Sequence, residues 1–132
     1  MSADIVELGR AWLKTFPEGD FEAFPGKVSP DFVLRLPFVP AGVPSEFRGR
    51  ETAQAALAGS AKSRSKLVFH DEHILRTEDP ELIVTTAKAE AKMANGHIYR
   101  NEYIMLTRIR DGVVLEHTEY LNPLAVMASM AG

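Results

Sequence analysis

The order of elements in this sequence predicts an α+β fold, a curved antiparallel sheet wrapped around helices from the N-terminal half. Three observations predict it. Helical spacing of apolar residues is concentrated in the first half, and the chain from Lys66 onward reads as four long alternating runs. Asn95-Gly96 and Asp111-Gly112 join successive runs with the dipeptides that two-residue hairpins of type I′ favour. No helical stretch separates those runs, so the strand–helix–strand alternation of parallel sheets is absent.

Each element has its own signal. Ser2 is placed to cap a helix running to about Thr15. Ile5, Leu8 and Trp12 form its apolar stripe, and Asp4 and Glu7 suit its first turn. Pro17-Glu18-Gly19-Asp20 ends it, and Asp20 caps a short segment from Phe21 to Phe24 that Pro25-Gly26 closes. Asp31 to Phe38 alternates as a strand, with Phe32, Leu34 and Leu36 on one face and Val33 and Arg35 on the other. Residues 39–48, with two prolines and a glycine, read as loop. The Ala-rich stretch from Gly49 to about Lys62 reads as helix. Strands follow at Lys66 to Arg76, Glu81 to Ala94, His97 to Arg110 and Val113 to Leu121, with Glu78-Asp79-Pro80 as the first turn between them. Asn122-Pro123 predicts a short closing helix, because proline is pre-set for a first helical position.

Three helices cannot cover both faces of such a sheet. A twisted sheet curls round them and leaves a cavity at its mouth. The outer face carries Ile104 and Leu106 between Glu102 and Arg108, a partly apolar surface that predicts a homodimer.

Composition removes whole classes of function. The 132 residues make one domain, 1–132, with 45% hydrophobic and 25% charged residues, as in ordinary globular proteins. Lys plus Arg is 15 and Asp plus Glu is 18, giving a net charge of −3 with no basic patch, which argues against nucleic acid as partner. No apolar run approaches a membrane span, and Met1-Ser2-Ala3-Asp4 lacks the features of a signal peptide, so the cytoplasm is the expected location. There is no cysteine, which excludes disulfides, thiolate metal sites and cysteine nucleophiles. His70-Asp71-Glu72-His73 has a metal-like composition, but its histidines have opposite parity in a regular strand. Without a bulge they read as an exposed cluster, and no metal is expected. His97, after the Asn95-Gly96 turn, reads as solvent-facing, Arg48-Gly49-Arg50 reads as surface, and the direction of Arg35 stays open. With no phosphate-binding glycine pattern, serine elbow or nucleotide fingerprint, no cofactor is expected.

The stretch from Arg100 to Pro123 resembles the C-terminal half of SnoaL-like domains, in the nuclear-transport-factor-2-like superfamily that includes ketosteroid isomerase. Thr77-Glu78-Asp79-Pro80 and Glu119-Tyr120-Leu121-Asn122-Pro123 are similar to joints of the phenazine biosynthesis A/B group. Leu36-Pro37-Phe38 and Phe47-Arg48-Gly49-Arg50-Glu51 resemble the family's first strand and helix entry. The resemblance covers most of the chain. It implies a cone-shaped α+β barrel with a deep pocket, usually dimeric, and a family of isomerases, cyclases, hydrolases and plain binding modules.

Alternation puts Leu115, His117, Glu119 and Leu121 on one face of the last strand. The resemblance turns that face into the pocket and makes Glu119 the match of the proposed general acid. A carboxyl in an apolar cavity has its pKa raised, which suits proton transfer near neutral pH. His117 is placed to hydrogen-bond it or relay the proton. The plainer reading leaves both side chains on a solvated face. Asn101, Tyr103, Met105, Thr107 and Ile109 share a face of the preceding strand, where Tyr103 and Asn101 can donate to a substrate oxygen. Trp12, Leu36, Phe38, Met105 and Leu121 complete the expected binding set. By the resemblance, Leu36, Trp12 and Met105 stand where ketosteroid isomerase has its base and its two oxyanion donors, so that mechanism is excluded. The sequence therefore predicts a cofactor-free acid–base catalyst of isomerase, cyclase or condensation type on a small, apolar, oxygen-bearing molecule. A non-catalytic ligand-binding module of the same fold is the alternative, and an interaction domain using the outer face a third reading.

Overall fold

Asp4 begins the first helix, its carboxylate accepting the Val6 N–H at 3.1 Å, and Ile5–Thr15 forms α1. The computed structural model describes residues 4–130, so the expected cap Ser2 lies outside the described residues. Leu8 and Trp12 of the expected stripe are buried and Ile5 is half-buried, with Leu13 buried beside them. A 3-10 turn, Phe16–Glu18, continues the helix. A second, Phe21–Ala23, is capped by Asp20, whose Oδ1 accepts the Ala23 N–H.

The strands are β1 Lys27–Arg35, β2 Glu46–Arg48, β3 Val68–Arg76, β4 Leu82–Lys92, β5 Ile98–Arg110 and β6 Val113–Leu121. Two further helices are α2 Arg50–Ala61 and α3 Pro123–Met130. They form one open sheet in the order β2-β1-β6-β5-β4-β3. The class is α+β, as expected, with two differences in the sheet. The β1–β6 pair is parallel, so the sheet is mixed rather than antiparallel. Glu46–Arg48, expected as loop, forms a short edge strand on β1.

The first strand ends at Arg35 rather than Phe38, because Pro37 has no N–H to continue the ladder. Asp111 and Gly112 both have positive φ, 50° and 77°, as a type I′ turn requires. At Asn95-Gly96 only Gly96 is in the left-handed region, at 91°, and the loop spans three residues between Met93 and His97. The Asn95 side chain is committed elsewhere: its Nδ2 donates to the Ser129 carbonyl of α3 and its Oδ1 accepts the His97 N–H.

Two bulges change which side chains share a face. In β3 the pairing slips between His70 and His73, with Asp71 at φ 53°. His70 pairs with Lys88 and His73 with Thr86, so the two histidines share the outer face. They remain exposed, and among the described residues no group of three His, Asp or Glu is placed to hold a metal ion. In β6 the slip falls at Leu115, so Val114 rather than Leu115 is buried ahead of His117. Among the described residues no helix is long and apolar enough to cross a membrane.

Candidate functional site

On β5 burial alternates strictly. Tyr99, Asn101, Tyr103, Met105, Thr107 and Ile109 are buried on the inner face, and Ile104 faces outward. The inner residues of β4 opposite the first three are alanines. Ala91, Ala89 and Ala87 pair with Tyr99, Asn101 and Tyr103, which gives the two phenol rings room. From β6, His117 and Glu119 enter the same space, paired with Thr107 and Met105.

His117 is the centre of the site. Its side chain is 0% exposed and that of Glu119 is 13% exposed. Trp12 Nε1–H donates to His117 Nδ1 at 3.1 Å, and Thr107 Oγ1 lies 2.8 Å from the same nitrogen. The Phe16 ring packs on the imidazole at 4.4 Å between centroids, and Phe21, Phe24 and Phe32 surround the indole of Trp12. His117 Nε2 makes no hydrogen bond, and the carboxylate Oε1 of Glu119 stands 3.7 Å from it. That separation is beyond hydrogen-bond length, so the direct bond expected between them is not formed.

A second buried network sits beside it. Asn101 Oδ1 accepts the N–H groups of Glu102 and Asn122, which fixes its amide orientation. Its Nδ2 then donates to the Tyr99 hydroxyl at 2.8 Å and to the Asn122 carbonyl at 2.9 Å. Tyr99 and Tyr103 share a short hydroxyl–hydroxyl hydrogen bond, and Phe69 meets the Tyr103 ring edge-on. Burial pushes the Tyr103 phenol well above its ordinary pKa, and the negative charge of Glu119 adds to the effect. Burial raises Tyr99 as well.

The nine residues read from the sequence thus divide. Trp12, Tyr103, Met105, His117 and Glu119 meet on the inner face. Leu121 and Leu36 are half-buried, Leu121 at the end of β6 and Leu36 just beyond β1. Asn101 is inside, but its amide is spent on Tyr99 and the β6–α3 joint, so it acts as a scaffold. Phe38 does not join the others. It is 56% exposed and meets Tyr120 edge-on, because the chain leaves β1 at Arg35 and Pro37 carries it over the sheet. Arg35 points outward, bonded to Glu46 and Glu116. Three contributors lie outside the expected set: Thr107, which alternation already places on that face, and Phe16, both touching His117, and Tyr99. Parity with Asn101 would have found Tyr99.

A concavity of about 800 Å³ opens mainly on the outer face, lined in part by Phe38, His73, Thr86, Lys88, Ile104 and Tyr120 and reached by Tyr103 and Leu121. It holds no convergence of sheltered polar groups comparable to that around His117, so the inner cluster is the better candidate for chemistry.

Residues 9–117 match the model of the SnoaL-like domain. An uncharacterised PhzA/B-like protein of Pseudomonas aeruginosa is 28% identical over 122 residues, covering 91% of this chain and 85% of that one. A proposed isomerase from Bacillus subtilis superposes with a TM-score of 0.79 at 23% identity, over 93% of this chain and 89% of that one. The pinacolase BvnE of Penicillium brevicompactum gives 0.76 at 13% identity, over 95% and 90%. The family match runs over residues 9–117, most of the chain: the chain belongs to the SnoaL-like domain family.

Proposed function

We propose that the protein is a cofactor-free acid–base catalyst of isomerase or cyclase type, acting on a small, largely apolar molecule that carries oxygen. The observation that carries this reading is the Glu119 carboxyl, 13% exposed and 3.7 Å from the unpartnered nitrogen of a fully buried histidine. Among the described residues no Lys or Arg pairs with that carboxyl. Glu119 moves the proton, His117 and Tyr103 bind oxygen, and Trp12, Met105, Leu36 and Leu121 wall the substrate. The isomerase and pinacolase relatives by fold are consistent with such chemistry. The same reading takes residues 1–132 as a single domain, places it in the cytoplasm and pairs two copies through the outer face.

Proton–deuterium exchange next to the carbonyl of a panel of small ketones, followed by NMR in heavy water, tests the reading. The wild type should accelerate exchange. Glu119→Gln should lower that rate by about 10²–10⁴, as loss of a general acid–base typically does, while ketone binding survives. Ketones that bind without exchange, or a variant of undiminished rate, would leave the ligand-binding module as the better account.

A further inference from the structure

His117 has two ring nitrogens with different surroundings, and only one arrangement of protons suits both. The indole Nε1–H of Trp12 is a donor and nothing else. It lies 3.1 Å from Nδ1, so Nδ1 must accept. Thr107 Oγ1, 2.8 Å from the same nitrogen, is then a second donor on that lone pair. A proton on Nδ1 would meet the indole N–H donor against donor; the Thr107 hydroxyl, which can also accept, adapts to the tautomer that the indole selects. The ring proton therefore sits on Nε2, the atom that has no hydrogen-bond partner and stands 3.7 Å from Glu119 Oε1. Burial makes this selection strict, because His117 is fully enclosed and water cannot compensate a mismatched pair.

We propose that Trp12 and Thr107 are positioning residues that lock His117 in its Nε2–H tautomer. The lock makes the histidine a fixed hydrogen-bond donor to the bound ligand rather than a proton relay. This rests on the reading of the inner cluster as the site, and it narrows what that site accepts. A fixed N–H beside a carboxyl suits a ligand that presents a carbonyl or hydroxyl oxygen to His117. A ligand that brings an N–H donor to the same point meets donor with donor. The role of Trp12 also explains why the large indole is held by four phenylalanines: its ring plane sets the direction of its N–H.

Long-range proton–nitrogen NMR of the full chain labelled with ¹⁵N-histidine tests the lock without any ligand. The chain has four histidines, and His70→Gln, His73→Gln and His97→Gln, all at exposed positions, assign the signals of His117 by elimination. In the wild type, His117 should show one protonated nitrogen, Nε2, and one unprotonated nitrogen, Nδ1, well separated in shift. In Trp12→Phe the separation should shrink as the tautomers mix. Thr107→Val keeps the shape and removes the hydroxyl, so Nδ1 should shift while Nε2 stays protonated. A wild-type spectrum with the proton on Nδ1, or with averaged nitrogens, overturns the proposal even if Trp12→Phe fails to fold. So does a Thr107→Val spectrum identical to the wild type, for the part given to Thr107. The exchange rate of Glu119→Gln is an independent readout. If it is undiminished while the tautomer is as expected, the catalytic reading has failed and the lock stands.

Discussion

Tyr99 and Tyr103 give the residue scale its clearest pH signature. Both phenols are held above their ordinary pKa, mainly because burial penalises the phenolate. A folded pKa above the unfolded one means the folded chain keeps protons that the unfolded chain has lost. The associated stability is complete below the ordinary phenol value of about 10 and is lost as pH rises beyond it. Urea unfolding of the wild type should therefore show a midpoint that falls steeply above about pH 10. Tyr103→Phe should flatten that fall, at a cost near neutrality of about 1 kcal/mol for the lost hydrogen bond. An unchanged slope would mean the Tyr103 hydroxyl is not sheltered. At this scale sequence parity was informative: His117 and Glu119 do share a face, as do Tyr103 and Met105. Partners from distant parts of the chain were not legible. Trp12 and His117 are 105 positions apart, and nothing local marks the indole as the donor that orients that ring.

Between elements, Gly19 governs how the first 3-10 turn meets α2. Its φ is 71°, and a Cβ there would lie 2.8 Å from Ala58 N and 2.9 Å from Gln54 O, both backbone atoms of α2. Gln54 Nε2 donates to the Gly19 carbonyl at 2.8 Å, which holds the approach close. Gly19→Ala combines left-handed strain with a backbone clash, and should cost about 1–3 kcal/mol in chemical unfolding. Gly96→Ala is the control. Its φ is also positive, but nothing lies within 4 Å of its Cβ, so it should cost visibly less. Equal losses would show that strain alone decides. Hairpins were legible where both turn residues serve the turn, as at Asp111-Gly112. Asn95 had a second obligation to Ser129 that no dipeptide rule contains, so its loop lengthened. The β3 and β6 bulges were invisible for a similar reason. Asp71 and Leu115 are inserted by the register of their neighbours, and alternation cannot announce a residue that interrupts it.

The whole molecule depends on a pairing that no local pattern encodes. The meander from β3 to β6 could add β1 at either edge; it does so at β6, in parallel, and this places Leu34 opposite His117. The outer face then becomes continuous across the strands. His73, Thr86, Ile104 and Tyr120 align in one row, and Leu75, Val84, Leu106 and Thr118 in the next. Ile104 and Leu75 are each 51% exposed, and Phe38 rests on Tyr120 beside them. One border is a ladder of alternating charge. Glu46 bonds Arg35, Arg35 bonds Glu116, Glu116 bonds Arg108, and Arg108 bonds Asp79. The hydrogen bond from Arg108 holds the Asp79 carboxyl below its usual range. A border of both signs beside a partly apolar belt can be self-complementary under a two-fold rotation, which suits a second copy better than a partner of one charge. Such a pairing needs about 800 Å² from each copy, so border and belt must both be covered. We expect light scattering to give a dimer for the wild type at micromolar concentration. Ile104→Glu places a charge at the centre of the belt without touching the inner face. It should yield a monomer with an unchanged circular-dichroism spectrum and an unchanged His117 tautomer. A wild-type monomer would remove the dimer, and a dimer that survives the glutamate would move the interface off this face.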